Sequence, residues 1–167
     1  MKRTLLAMLL AVVLCLSLAA CAGTPAKTVT ETDTSVQPGY VMTFDGVEIR
    51  MGETASAALD ALGEAISREA TGSCAYGGDD VRYTYAHFIL QTYDQSGTEY
   101  LSQISLSDDT YATPEGIRVG DSADAVKAAY GTPANETASA LTYLKGNTKL
   151  LFLLRDGNVT NIQYLLQ

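Results

Sequence analysis

The sequence predicts an α+β fold: two tandem repeats, each a short helix followed by an antiparallel meander, forming one sheet with helices on one face. Three observations predict it. A stretch near residue 49 recurs near residue 117. Turn residues of the hairpin kind separate the apolar runs that follow each copy. Those runs have the length and residue types of strands. The 167 residues carry a formal net charge of −8 with 47% apolar residues, enough for one compact domain or two small ones sharing a core. Phosphate binding needs clustered Lys and Arg, and the basic residues here are scattered, so nucleic acid is excluded as a partner.

The first 20 residues stand outside the predicted fold. Lys2 and Arg3 open the chain, and Leu5 to Leu18 is apolar apart from Ser17. That is the length of a signal-peptide apolar region and short of the roughly 20 residues that span a bilayer. Leu18-Ala19-Ala20-Cys21 follows. This string resembles the lipobox of bacterial lipoproteins. The resemblance implies cleavage before Cys21 and acylation of Cys21, palmitate included. It also implies an extracytoplasmic location, on the cell membrane or elsewhere in the envelope. An ordinary secretory signal cut nearby, or an uncleaved apolar tail, is the plainer alternative. One short acyl chain holds a protein only marginally, at about 0.8 kcal/mol per buried methylene, whereas two chains hold it lastingly. Residues 21–38 are the lipidated cysteine and a tether. Ala22 to Pro38 holds five Thr and two Pro and cannot build a core. Removing residues 1–20 deletes two basic residues and no acidic one, which leaves the remainder more negative and repelled by anionic headgroups.

Repeat 1 spans 39–110 and repeat 2 spans 111–167. Ile49-Arg50-Met51-Gly52-Glu53-Thr54-Ala55 recurs as Ile117-Arg118-Val119-Gly120-Asp121-Ser122-Ala123. Ala57, Ala61 and Gly63 recur as Ala125, Ala129 and Gly131 at the same offset. Each copy spells a short helix. Thr54 and Ser122 are the expected N-caps, with Glu53 and Asp121 at the positive end of the helix dipole. Small apolar residues make a narrow stripe, and Gly63 and Gly131 suit the left-handed residue that closes a helix.

Strands are expected after each helix. In repeat 1 they are Val81 to Tyr85, His87 to Tyr93 and Tyr100 to Leu106. In repeat 2 they are Leu141 to Lys145, Leu150 to Leu154 and Val159 to Leu166, separated by Gly146-Asn147 and Asp156-Gly157. Leu101-Ser102-Gln103-Ile104 echoes Val159-Thr160-Asn161-Ile162. Glu64 to Asp80 reads as the longest irregular connection, of the kind that often carries function.

The order helix-then-meander, entered through Ile-x-x-Gly-acid-hydroxyl and closed by Gly, resembles the small outer-membrane assembly lipoproteins of the SmpA/OmlA type. It also resembles the tandem β-lactamase-inhibitor-protein fold, two such units side by side. Gly116 to Pro133 is the closest stretch. The motif is structural and carries no chemistry. In the inhibitors the sheet face and loops bind protein, so the resemblance implies a binder, with inhibition of a secreted or envelope enzyme as an alternative.

The residues themselves offer little catalysis. His87 is the only histidine, inside an apolar stretch. With Cys15 and Cys21 assigned to the leader and the lipid, Cys74 remains without a disulfide partner. Cys74 reads as a small buried filler, and a thiol-dependent hydrolase using Cys74 and His87 is the enzymatic alternative. Zinc lacks ligands. Asp79-Asp80 and Asp108-Asp109 lack the alternating spacing of a calcium loop and read as solvated turns. No cofactor or metal is expected. Tyr83, Tyr85 and Tyr93 share one parity and are expected on one side of a strand region, as candidate ligand contacts. Leu150 to Leu154 is apolar on both faces, so either both are covered or an apolar patch meets a partner. The expectation is a non-enzymatic lipoprotein that binds protein or cell wall.

Overall fold

The computed structural model describes residues 38–73 and 77–167. The expected signal segment, Cys21, the tether before Pro38, and Cys74 lie outside the described residues. Strands β1 (Val41–Phe44) and β2 (Val47–Arg50) form a hairpin around Asp45-Gly46. Helix α1 (Ser56–Leu62) follows, then β3 (Ser67–Gly72), β4 (Asp79–Thr84), β5 (Phe88–Gln95) and β6 (Thr98–Leu106). Helix α2 (Ala123–Tyr130) precedes β7 (Asn135–Thr137), β8 (Ala140–Lys145), β9 (Thr148–Arg155) and β10 (Asn158–Leu166). Strands β3 to β10 make one antiparallel sheet in the order β3-β4-β5-β6-β10-β9-β8-β7.

This corrects the expected α+β layout. The described residues are mostly β, with ten strands in an eight-stranded and a two-stranded sheet, and two helices of only 7 and 8 residues. Each helix is followed by four strands, where a three-stranded meander was expected. The expected irregular connection 64–80 contains β3 and the start of β4. The missed strands are polar: β3 reads SREATG and β7 reads NET, and neither contains a buried residue. A strand that buries nothing leaves no alternation to read, and polar, charged residues are how sheet edges avoid pairing with other chains.

The two recurring stretches sit in matched backbone surroundings. The N–H of Gly52 donates to the carbonyl of Leu101, and that of Gly120 to Val159, both at 2.7 Å. Leu101 and Val159 donate back to the carbonyls of Glu53 and Asp121, at 2.9 and 2.8 Å. Ala55 and Ala123 donate to Glu99 and Gly157, both at 2.8 Å. Gly52 and Gly120 have φ of 85° and 98°, which side-chain-bearing residues rarely adopt. Each receiving strand is bulged one residue further on. Ser102 is skipped in the β5–β6 register and Thr160 in the β9–β10 register. A bulge shifts the alternation of faces by one. That is why Leu101 and Ile104, three apart, are both buried, and Val159 and Ile162 likewise.

One face of the large sheet carries the core. Its buried side chains run across the strands in register: Tyr143 beside Leu150, Leu150 beside Tyr164, Tyr164 beside Ile104, Ile104 beside Leu90 and Leu90 beside Tyr83. Met42, Phe44 and Ile49 of the hairpin, Ala58 of α1 and Val126 of α2 join the same cluster. Asn147, in the β8–β9 turn, donates to the carbonyl of Met51 at 2.9 Å and ties repeat 1's entry segment to repeat 2.

Candidate binding site

The opposite face carries half-buried and exposed side chains. Its residues also line up across the sheet. One row runs Thr142, Leu151, Gln163, Ser105, Ile89, Thr84; the next runs Leu144, Lys149, Leu165, Gln103, Gln91, Arg82. Leu153, paired with Asn161, extends the apolar part. Leu144 is 53% exposed; Leu151, Leu153 and Leu165 are half-buried. The leucines therefore gather on β8, β9 and β10, while β4 to β6 contribute amides, hydroxyls, Ile89 and Arg82. Asn161 fixes the junction of the two halves, donating to the Leu106 carbonyl at 2.7 Å and to Ser105 Oγ at 3.0 Å. The both-sided apolar run Leu150 to Leu154 is thus divided: Leu150 and Phe152 are buried, and Leu151 and Leu153 face outward.

The three tyrosines do not share one side. The β4–β5 pairing sets Tyr83 opposite Leu90 and Asp80 opposite Tyr93, so odd positions of β4 face with even positions of β5. Tyr83 lies on the core face, 9% exposed. Its hydroxyl donates to Glu99 at 2.8 Å and accepts from Arg68 at 3.2 Å. Arg68 and Thr92 also donate to Glu99, at 3.2 and 3.0 Å. Burial, more than these polar neighbours, raises the Tyr83 pKa. Tyr93 lies on the open face and stacks on Tyr100, with centroids 5.5 Å apart.

Tyr85, just past β4, is half-buried. It stacks on Phe88 and donates to the Gly63 carbonyl at 3.3 Å. Parity counted along the sequence failed because the β4–β5 connection sets the register, and that register was not legible beforehand.

His87 is exposed. Its Nδ1 lies 3.0 Å from Asp108 and 3.1 Å from Thr110. The Thr110 backbone N–H and then His87 hold the Asp108 carboxyl below its usual pKa. The expected solvated turn at 108–109 therefore has an ordered partner. Phe44, Asp45 and Tyr111 gather beside His87, and sequence reasoning did not single them out. The Asp45-Gly46 turn between apolar residues was the available hairpin signal.

Comparison with protein-family models, curated proteins and solved structures finds no match for this chain.

Proposed function

We propose that this protein is a lipid-anchored extracytoplasmic lipoprotein, held at the membrane through Cys21, whose folded part binds a protein or cell-wall partner without catalysing a reaction. The open face of the eight-stranded sheet carries this reading. Seven inter-strand spacings of about 4.8 Å make it about 34 Å wide, and its central strands are about 25–30 Å long. That area is on the order of 900 Å², comparable to the roughly 800 Å² a partner contributes to a standard protein interface. An outward leucine group bordered by amides and hydroxyls matches an apolar interface centre with a polar rim. The acidic net charge and the Thr-rich linker favour holding the folded part off an anionic membrane surface.

Two measurements test the proposal. Labelled palmitate should enter the full chain and be lost in Cys21→Ala; unchanged labelling contradicts the anchor. The variant Leu151→Asp/Leu153→Asp should stay folded, because both positions face outward, yet lose the envelope partner recovered by crosslinking. Recovery equal to that of the unaltered chain contradicts the binding face.

A further inference from the structure

A cleft of about 240 Å³ opens on the core side of the sheet, between the β1–β2 turn, the end of α1, and the β4–β5 connection. We propose that it binds a primary ammonium group carried on a short apolar chain. Its walls are Phe44, Tyr85, Phe88 and Tyr111, with Asp45 and His87 at the polar side. The rings are braced. Phe44 and Tyr85 both stack on Phe88, with centroids 3.9 and 4.6 Å away and interplanar angles of 17° and 18°. Tyr111 stands edge-on to Phe44 at 4.9 Å.

The polar groups select the ligand's charge. Asp45 accepts the Tyr111 hydroxyl at 2.9 Å and, as a carboxylate, retains further acceptor capacity. His87 Nδ1 lies 3.0 Å from the Asp108 carboxylate and 3.1 Å from the Thr110 hydroxyl, and these two partners hold the ring at the edge of the cleft. Among the described residues, no Lys or Arg lines the cleft. Arg118 is engaged by the carbonyls of Asp109 and Thr110, at 2.6 and 2.8 Å. An anion would meet Asp45 without compensation, and a bare hydrocarbon would strip water from its carboxylate. An ammonium supplies donors and charge together, while its methylenes lie on aromatic surface. The volume is below the 300–1,000 Å³ of drug-sized pockets, so the occupant is a small amine or one lysine side chain.

This site lies across the sheet from the proposed partner face, so either can fail without the other. The full-length protein in nonionic detergent should be titrated with n-pentylammonium, 1-pentanol and pentanoate, following the ring NMR signals of Tyr85 and Tyr111. The amine should shift both saturably, with the alcohol and acid at least ~10-fold weaker for lack of charge attraction. Asp45→Asn should weaken the amine at least ~5-fold; Asn tolerates the positive φ of 48° at this turn, so the hairpin survives. N-acetyl-lysine methylamide, with its Nε-acetylated form as control, distinguishes the sources. Saturation by the free-ε-amine form supports a lysine side chain, and saturation by pentylammonium alone supports a small amine. Equal responses to all three pentyl probes, no saturable shift, or unchanged affinity in Asp45→Asn would overturn the proposal.

Discussion

Glu99 shows how much one acceptor can organise. Tyr83, Thr92 and Arg68 all donate to it, two of them from buried positions. Glu99→Ala takes away the acceptor of both hydroxyl hydrogens, and an unsatisfied buried donor costs about 1–3 kcal/mol. Urea unfolding should show a loss of that order, and a smaller one in Glu99→Gln, which retains an acceptor oxygen. The buried tyrosines make a second residue-scale prediction. Burial, together with nearby Tyr164 and Glu115, drives the Tyr130 pKa far above its usual value. Burial and Glu115 do the same for Tyr164. Both phenols are held neutral in the fold, so their contribution to stability is full below about pH 10 and declines as pH rises past the unfolded-state pKa. Ultraviolet titration should show these two ionising only as the protein unfolds, after more accessible tyrosines such as Tyr100; all ten titrating together near pH 10 in a folded chain would contradict the burial.

At the scale of elements, the two helices look alike in sequence but start differently. Ser122 accepts from the Ala125 N–H at 3.2 Å and caps α2. The expected cap Thr54 lies one residue too early for α1, whose N-cap is Ala55 with no side-chain bond. Ser122→Ala should therefore cost about 1 kcal/mol and Thr54→Ala close to nothing, measured by thermal unfolding. Gly63 and Gly131 close their helices as their sequence positions suggest, bonding to the carbonyls of Leu59 and Lys127. The apolar strands were legible because one face is buried and leaves a pattern of period two. Strands β3 and β7 were not, since neither buries a side chain that would leave such a pattern. The candidate site was partly legible. Outward Leu151 and Leu153 stand out as apolar residues with no core to fill. The cleft around His87 does not, because Asp45, His87 and Tyr111 come from three distant segments and meet only through tertiary packing.

For the whole molecule, the sheet divides the labour between its faces. One holds the hairpin, both helices and a continuous apolar core; the other presents leucines and amides outward. The matched hydrogen bonds of the two recurring stretches place corresponding glycines over corresponding bulges, so the same local solution is used twice. The four strands that follow each stretch join in one eight-stranded sheet. The most direct test is site-specific photocrosslinking in intact envelopes, with benzoylphenylalanine at position 151, at 163, and at exposed position 60 on α1. One shared adduct is expected from 151 and 163 and none from 60. Adducts from 60 alone, or none from the sheet positions, would contradict the proposed partner face.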